Sequence, residues 1–575
     1  MSGRSSVGPP MNGRRFSRRN VLQMAEFAAG ASLTGGLLAA CGGSETPTAT
    51  AVPVGPSGIV AATKAPSGAS TQAAGGTTLA GSPTAASQAQ VGGAAPTGSV
   101  VLAQATDIHE TDPHRELWSD DSSVHFAIFD SLVQRDDQMN LVSVLAESYQ
   151  NTGPNEWTFR LRQGITFHNG EPLTVETIQW NIEDATAQGK KRDVTWQNFD
   201  RVEKVDNATF KLITKKPDPV LPQRLIRFFI LPSKYFQEKG EEGFIAAPIG
   251  TGPYKFVERK IDDHIKVTAV DNYWRGNASI KDVTFRIIPN TATALQSLKA
   301  GEIDLVVSPP PDQFDQLNAG ANTKAVSAVS DRIGYCQFFP DSPQGGKELK
   351  DKRVRQAINY AVNVDNMIKF LLAGHAVRNP TILPPLTFAF DKNLKPYAYD
   401  PDKAKSLLKE AGLESGFTLP VEVPSSFLLA KSVEIGQAIQ GDLAKVGIKV
   451  ELKPTELATM VKERDSKQIA PVYFWSWGSD FLDPEPFYRG ILYTTSPYTF
   501  YGKPTWDKMI DEAAQTVDQA RREQIYKQLQ AETYDDPPWL FLYTIENLYA
   551  LAKNVEMTPR TDERIIVARM KKTGK

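Results

Sequence analysis

Two residue pairs in this sequence have types and spacings that perform chemistry in other proteins. His109 and His114 could bind zinc together, but they stand five positions apart where one helical turn needs four, and Pro113 would break that helix. Ser406 and Lys409 have the spacing of a serine nucleophile and its lysine, but they lie among alternating lysines that are typical of a solvated helix face. Neither pair predicts catalysis or a metal site.

A glycine-rich segment could bind phosphate. Gly250-Thr251-Gly252 lacks the third glycine of a dinucleotide loop and the lysine of a phosphate-binding loop, so we predict a tight turn that leads into a strand. The sequence contains no G-x-S-x-G nucleophile elbow. We therefore expect a protein without catalytic residues and without a cofactor. An enzyme that uses carboxylates alone stays an alternative, because such residues carry no short signature.

The first forty residues predict export. Five arginines precede an uncharged, weakly apolar run at residues 27–40, which is the order of a secretory signal. Arg18 and Arg19 resemble the pair of a twin-arginine export signal. The run ends Leu-Ala-Ala before Cys41, which resembles a lipoprotein cleavage site with lipid on the Cys41 thiol. We expect residues 1–40 to be the signal peptide, with an unmodified cysteine near an ordinary cleavage site as the alternative.

Residues 41–98 predict a tether that follows the lipidated cysteine. Of the 57 residues from Gly42 to Gly98, 46 are Ala, Ser, Thr, Gly or Pro, and none is aromatic. Such a composition cannot build a core. No stretch of 18 strongly apolar residues occurs anywhere, so we expect membrane attachment through the lipid alone. The expected location is the outer face of the cytoplasmic membrane, or the periplasm or cell envelope.

Composition excludes several classes of protein. Lys and Arg total 64 against 66 Asp and Glu, so the chain lacks the positive charge of a nucleic-acid-binding protein. Cys41 and Cys336 are the two cysteines, which excludes a disulfide framework and a four-cysteine metal site. The length of 575 residues exceeds one ordinary domain, and we expect two or three lobes.

Hydrophobic periodicity predicts an α/β fold. Alternating polarity indicates strands, a 3.6-residue period indicates helices, and Asp400-Pro401 and Gly412 bracket one short helix. A β-α-β order places ligands at the carboxyl ends of strands. The predicted elements are strands 157–162, 283–288, 449–452 and 471–477 and helices 353–373, 401–411 and 435–446.

Six motifs in order resemble those of the extracellular solute-binding proteins of peptide and nickel ABC importers, family 5. The longest is WTFRLRQGITFHNGEPLT, preceded by LAESY at residues 145–149. Together the motifs cover essentially the whole folded region. They lie at residues 145–174, 248–254 (PIGTGPY), 272–274 (NYW), 298–304 (LKAGEID), 353–357 (RVRQA) and 442–448 (DLAKVGI).

The resemblance implies a two-lobed periplasmic binding protein-like fold of type II, with an extra subdomain in its first half. Lobe I would comprise residues 99–131, 247–336 and 541–575, the extra subdomain residues 132–246, and lobe II residues 337–540. Two hinge strands would let the lobes close over a ligand in a water-poor cleft. It also implies a monomer that delivers peptides to ABC permease and ATPase subunits.

The resemblance also implies a ligand site at the end of strand 471–477. In peptide-binding members a Trp-x-x-Asp-x-x-Asp-Pro motif ends this strand, and its first aspartate accepts the ligand's α-ammonium group. That residue matches Asp480, three positions after Trp477. The alternative is a strand-end turn in which Asp483 caps a helix and both tryptophans lie in the core. The predicted pocket residues are Trp475, Trp477, Gly478, Asp480 and Phe481.

One departure from the sequence pattern of the family leaves the identity of the ligand open. Dipeptide-specific relatives present an arginine to the ligand carboxylate where this chain has Val433 and Glu434. A short peptide would lose that anchor, so longer peptides, other cationic solutes and oligosaccharides stacked on tryptophan stay open. The six histidines lack ligand spacing, which argues against nickel itself. A surface enzyme or receptor on the same fold is the second functional class.

Overall fold

The computed structural model describes residues 94–115, 121–190, 192–425 and 429–574. The predicted signal peptide with Arg18 and Arg19, the lipid site Cys41 and the tether up to residue 93 lie outside these residues. No helix within the described ranges is long and apolar enough to cross a membrane.

Helices and strands are interspersed along the chain. The strands are β1 (Thr97–Gln104), β2 (Val133–Arg135), β3 (Leu141–Ser143), β4 (Ala146–Gly153), β5 (Glu156–Leu161), β6 (Phe199–Lys204), β7 (Thr209–Thr214), β8 (Tyr254–Lys260), β9 (His264–Ala269), β10 (Ile280–Ile287), β11 (Leu305–Val307), β12 (Thr323–Phe338), β13 (Ala376–Arg378), β14 (Phe417–Pro424), β15 (Ile448–Thr455), β16 (Val472–Gly478), β17 (Trp539–Ala552), β18 (Val555–Glu556) and β19 (Lys571–Lys572). The helices are α1 (Ser122–Ile128), α2 (Val175–Ala185), α3 (Leu221–Arg224), α4 (Ser233–Ala246), α5 (Thr291–Ala300), α6 (Phe314–Asn318), α7 (Lys352–Ala361), α8 (Val364–Asn366), α9 (Pro401–Glu410), α10 (Ser432–Ala444), α11 (Leu457–Asp465), α12 (Glu485–Ile491), α13 (Pro504–Gln515) and α14 (Gln519–Asp535).

One large mixed sheet runs through both lobes in the order β15-β14-β16-β12-β17-β11-β1-β10-β9-β8, and β13 adds to β17. Strand β14 pairs in parallel with β15 and β16, and β1 pairs in parallel with β10 and β11. The predicted extra subdomain contributes a separate antiparallel sheet of order β4-β5-β7-β6. The predicted two-lobed α/β fold is confirmed.

Each lobe has its own hydrophobic core. The first core surrounds β1 and β10 with residues such as Leu102 and Phe285, and the antiparallel subdomain packs Phe159 against it. The second lobe buries both faces of β16. Phe474 lies in the layer with α7 and α10, and Trp475 lies in the layer with α12, α13 and α14. A strand buried on both faces explains the nearly continuous apolar run of β16.

Strands β12 and β17 connect the two lobes. They pair antiparallel along their lengths, and the register shifts between Val329 and Ile333. On one side of this shift Ala325 and Ala550 belong to a first-lobe core, and on the other side Cys336 lies in the second core. The strands therefore enter the second lobe a few residues from the boundaries predicted at 336/337 and 540/541. They are the two strands that pass from one lobe to the other.

The predicted helix 353–373 is wrong in its second half. Helix α7 ends at Ala361, Val362 is extended, and a π-helical turn covers Met367–Leu371. The side chain of Asn363 accepts a hydrogen bond from the Asn366 N–H, and its own N–H donates to Asp442. Asparagine thus offers the backbone an alternative to the helical hydrogen bonds, which starts α8 instead.

The predicted turn at Gly250-Thr251-Gly252 is confirmed and leads into β8. A Cβ atom at either glycine would overlap backbone atoms of Ile128, because the turn packs directly on the end of α1. Glycine is needed here for close approach of two backbones. The capped helix is also confirmed, since Asp400 accepts from the Lys403 N–H at the start of α9 and Gly412 is left-handed after its end.

Candidate ligand-binding site between the lobes

Asp480 lies where the second lobe faces the first. It follows the carboxyl end of β16 in a turn, and its side chain is 13% exposed. Its Oδ2 atom lies 3.6 Å from Nε of Arg227 and forms an ion pair with Arg564. Both arginines lie on the side of the interface opposite the second lobe, because their neighbours Phe228 and Ile565 are members of the first core. The predicted ammonium acceptor therefore faces two cations across the lobe boundary.

A third arginine holds the turn that carries Asp480. Arg135 ends β2 and donates to the carbonyl oxygens of Phe481 at 2.6 Å and Asp480 at 3.4 Å. It also donates to the carbonyl of Met139 at 2.6 Å, within its own lobe. Its guanidinium group is thus occupied with main-chain oxygens. Arg135 positions the Asp480 turn against the first lobe.

The three arginines are desolvated and positively charged at neutral pH. Burial lowers the pKa of Arg227 and of Arg135 to about 10 each. Burial also lowers the pKa of Arg564, and the positive charge of Arg227 lowers it further. The negative charge of Asp331 acts in the opposite direction and raises the pKa of all three arginines.

Asp331 is a buried carboxylate near these arginines. It lies in the register shift of β12, and its pKa is raised to about 8 by burial and by the negative charge of Glu563. Glu563 is itself paired with Arg332, with contacts of 2.7 and 2.8 Å. Burial and the charge of Glu563 thus favour the protonated form of Asp331. Besides Asp480, Arg564 also meets Asp562, whose Oδ2 atom lies 3.1 Å from its Nη1 atom.

Asp483 is held within the second lobe. Its two carboxylate oxygens accept from Arg522 at 2.6 Å each, and both side chains are at most 2% exposed. Its Oδ1 atom also accepts from the Glu485 N–H at 2.9 Å, which fixes the start of α12. Asp483 thus accepts from the first N–H of α12, as the turn alternative expected, although Pro484 occupies the N-cap position. Every hydrogen bond described here for its carboxylate joins residues of one lobe.

The other predicted pocket residues divide between the interface and the core. Gly478 approaches Arg332, and the Phe481 ring lies 5.7 Å from the guanidinium group of Arg224, in the range of the extra subdomain. Trp475, in contrast, is 8% exposed, lies in the second-lobe core and stacks under Arg464 at 4.5 Å. The structure thus places Trp475 where the core alternative expected it.

Trp477 lies on the same face of β16 as Trp475, nearer the end of the strand. It is half-buried beside Tyr498, with ring centroids 5.8 Å apart, and against Gly490. Among the residues that the structure describes, its buried indole N–H has no hydrogen-bond partner. A buried N–H without a partner is unusual and is a position that a ligand acceptor could satisfy.

Sequence reasoning missed the arginines of the interface. Arg227 carried a usable signal, because it is the single charge in the apolar run Leu225 to Leu231, and a charge in such a run is rarely buried unless it has a partner. Arg135 and Arg564 have polar neighbours in the sequence, so neither residue carried such a signal. The position of the missing family arginine, Val433 and Glu434, lies on α10. Other elements therefore supply the guanidinium groups here.

Comparison with known proteins gives concordant matches. The family model described as "Bacterial extracellular solute-binding proteins, family 5 Middle" matches residues 140–499. The glutathione-binding protein GsiB of Pectobacterium atrosepticum is 28% identical over 474 residues, covering 79% of this chain and 90% of that protein. The dipeptide-binding protein of Escherichia coli is 27% identical over 435 residues, covering 69% and 80%. The crystal structure of the ABC transporter substrate-binding protein CtaP from Listeria monocytogenes superposes with a TM-score of 0.75 at 23% identity, covering 83% of this chain and 100% of that one.

Proposed function

This chain belongs to the bacterial extracellular solute-binding proteins of family 5, and we propose that it captures short peptides between its lobes and delivers them to the permease of an ABC importer. It acts by binding and release and has no catalytic role. In this proposal lobe I, the extra subdomain and lobe II have the ranges expected from the sequence, except at the two points where the chain passes between lobes I and II. These points lie at the register shift of β12 and at the part of β17 that pairs with it.

The observation that carries the proposal is the position of Asp480. A carboxylate at the end of β16 faces the opposite lobe at a site that water reaches poorly. An ammonium group placed there would be desolvated and paired at once, which makes the attraction strong and directional. The arginines across the boundary can hold a carboxylate in the same way. Such a site suits a ligand that carries charges of both signs.

The relatives favour peptides over sugars. Two proteins that match most of the chain are named for glutathione and for dipeptides. The predicted stacking surface for an oligosaccharide is also reduced, because Trp475 is packed in the core. Trp477 alone could contribute a ring to the pocket. We therefore propose short peptides, including glutathione, as the ligands in preference to oligosaccharides.

We also propose export through the pair Arg18 and Arg19, and attachment to the membrane by lipid on Cys41. Replacing Cys41 by Ser should release the protein from the membrane fraction and leave its melting temperature unchanged, because the residue lies far along the chain from the folded region. Fractionation of cells that express both forms measures this. Sedimentation of Cys41→Ser with membranes would refute the lipid anchor.

Calorimetry tests the binding function. The full chain, freed of bound solute by unfolding and refolding, is titrated with peptides of two to five residues, with their N-acetylated forms and with oligosaccharides. We expect binding of peptides that have a free ammonium group. Asp480→Asn should weaken it by about 3 to 5 kcal/mol, or two to three and a half powers of ten, because a buried ammonium would lose its partner.

Asp402→Asn is the matched control, because that carboxylate is 95% exposed on the second lobe. It should bind peptide as the unchanged protein does. Equal affinity for acetylated and free peptides would show that Asp480 does not receive an ammonium group. Binding of oligosaccharides alone would overturn the peptide proposal.

A further inference from the structure

We propose that Arg224 is a positioning residue for the ligand site, because its guanidinium group joins the extra subdomain to the start of α12 and so holds the turn that carries Asp480. Arg224 ends α3, in the range of the extra subdomain, and its Nη2 atom lies 3.2 Å from Oε2 of Glu485. Glu485 is the first residue of α12 in lobe II. This inference rests on the proposed function, since it concerns how firmly the lobes hold a ligand.

The contact belongs to a chain of five side chains with alternating charge. Arg224 pairs with Asp218 in its own subdomain at 3.1 Å, and Glu485 pairs with Arg489 in its own lobe at 2.5 Å. Arg489 in turn lies 3.1 Å from Asp511. Within this chain, the link between Arg224 and Glu485 is the one that crosses from the extra subdomain to lobe II.

The crossing link is an ion pair that is largely removed from water. The side chain of Arg224 is 18% exposed and that of Glu485 is 9% exposed. Burial raises the pKa of Glu485, but the charges of Arg224 and Arg489 lower it by more, so the pKa lies below its usual value and the carboxylate is ionised at neutral pH. Such a pair attracts more strongly than a pair in full contact with solvent.

The crossing link can break without leaving either charge alone. When the lobes part, Arg224 keeps its contact with Asp218, and Glu485 keeps its contact with Arg489. Separating an ion pair is most costly when it leaves a buried charge without a partner, which does not happen here. The link therefore stabilises the arrangement in which the lobes are in contact, and not the fold of either part.

Arg224 is mounted on the sheet of the extra subdomain. The carbonyl oxygen of Asp218 accepts from the indole N–H of Trp157 at 3.2 Å, and its carboxylate accepts from the Val220 N–H at 3.2 Å. Trp157 belongs to β5, in the antiparallel sheet that packs on the first core. The segment that carries Arg224 is thereby fixed relative to the first core.

The extra subdomain contacts residues 480–485 at two points. Arg135 donates to the carbonyl oxygens of Asp480 and Phe481 at one end of this segment. Arg224 contacts Glu485 at the other end, and its guanidinium group lies 5.7 Å from the Phe481 ring. Two contacts fix the tilt of a short segment as well as its position. We therefore expect the carboxylate of Asp480 to lose its fixed orientation when the contact to Glu485 is removed.

A double-mutant cycle tests this role. Glu485→Gln, Arg224→Gln and the double variant of the full chain, freed of bound solute, are titrated with glutathione and with trialanine by calorimetry, and dissociation is followed by stopped-flow fluorescence. We expect each single variant to bind about tenfold more weakly, chiefly through faster dissociation. The double variant should bind no more weakly than either single variant, because all three lack the same contact.

Arg160→Gln is the matched control. Arg160 pairs with Glu147 at 2.9 Å, and both residues lie within the extra subdomain. This variant should bind both probes as the unchanged protein does. Small-angle X-ray scattering of the ligand-free proteins should show a larger radius of gyration for Glu485→Gln and Arg224→Gln than for the unchanged protein and the control. The melting temperature of Glu485→Gln should stay nearly unchanged, because its neighbouring arginines each retain a carboxylate partner.

A separate variant guards against a folding defect. Arg224→Gln leaves the buried Asp218 without its cation, which can unfold the subdomain. Arg224→Lys keeps a positive charge beside Asp218 but lacks the planar fork that binds two carboxylates at once. If circular dichroism shows that Arg224→Gln is poorly folded, Arg224→Lys takes its place in the cycle.

The outcomes separate this inference from the proposed function. Unchanged affinity and scattering in Glu485→Gln would overturn the inference while peptide binding stands, and so would losses of affinity that simply add in the double variant. A lower melting temperature with unchanged scattering would make the link purely structural and also overturn it. If the unchanged protein binds neither these probes nor other peptides, the proposed function fails. A larger radius of gyration in the variants would then still support the link between the lobes, and an unchanged radius would overturn it.

Discussion

Asp480 and Asp483 stand three residues apart and both meet buried arginines, yet their surroundings differ. Asp483 is bound by Arg522 in a bidentate pair inside the second lobe. Asp480 meets Arg227 and Arg564 from the other lobe, with poorer geometry and more exposure. An ion pair within a lobe stabilises the fold of that lobe. An ion pair between lobes stabilises the conformation in which the lobes are close together. Breaking the Asp480 pair should therefore change the conformation more than the stability, and breaking the Asp483 pair should do the opposite.

The largest effect should come from breaking the Asp483 pair. Asp483→Asn leaves Arg522, 1% exposed, without its carboxylate, which typically costs about 3 to 5 kcal/mol. Urea unfolding of the ligand-free protein measures the change. Arg521→Gln is the control, because that neighbouring side chain is 55% exposed, and it should change stability by at most about 0.5 kcal/mol. Equal losses in both variants would show that the buried pair is not structural.

A third carboxylate tests how pH affects the same interface. Asp331 has its pKa raised from 3.8 to about 8, with Glu563, Asp562, Arg332 and Arg564 as its charged neighbours. Between these values the folded protein binds a proton that the unfolded chain has released, so this contribution to stability falls as pH rises and is lost above about 8.

In the Asp331→Asn variant this position does not titrate, so its contribution to stability does not depend on pH. We expect the melting temperature of the unchanged protein to fall more steeply than that of Asp331→Asn as the pH is raised from 5 to 8, and the two to run in parallel above pH 8. Scanning calorimetry at matched ionic strength measures both. Parallel curves between pH 5 and 8 would show that Asp331 is ionised in the folded protein.

Asp480→Asn should have a smaller effect on stability than Asp483→Asn. When its carboxylate is removed, the lobes can part and water can reach Arg227 and Arg564, so we expect a loss within about 1 kcal/mol. Small-angle X-ray scattering should instead show a larger radius of gyration for the ligand-free variant. A loss of stability as large as that of Asp483→Asn, with unchanged scattering, would make Asp480 a structural residue.

The sequence predicted the elements of the second lobe better than the interface they form. The apolar run of β16 and the cap at Asp400 are local, and both are confirmed. Period-two alternation places Trp475 and Trp477 on one face but cannot say which face meets the cleft. The break after α7 depends on Asp442, 79 positions beyond Asn363. No local pattern contains that contact.

The arginines show more clearly that local sequence patterns do not predict contacts between distant segments. Arg135, Arg227 and Arg564 come from three distant segments, and their common role exists only after β12 and β17 bring the lobes together. Motif reasoning identified Asp480, whose carboxylate meets Arg227 and Arg564. It assigned the opposing charge to a ligand, because the family pattern records the ligand partner of Asp480 and not its partners within the protein.

The smallest effect should come from a change remote from both aspartates. Residues 50–90 are rich in Ala, Ser, Thr, Gly and Pro and contain no aromatic residue, so they have little apolar surface to bury. Deleting them should leave the melting temperature and the peptide affinity unchanged within error, while Asp480→Asn and Asp483→Asn keep their contrast in the shortened protein. A marked fall in melting temperature would show that this segment packs on the folded region. The contrast between the two aspartates would then have to be measured again with the segment present, because the lobes would not be the only partners at the interface.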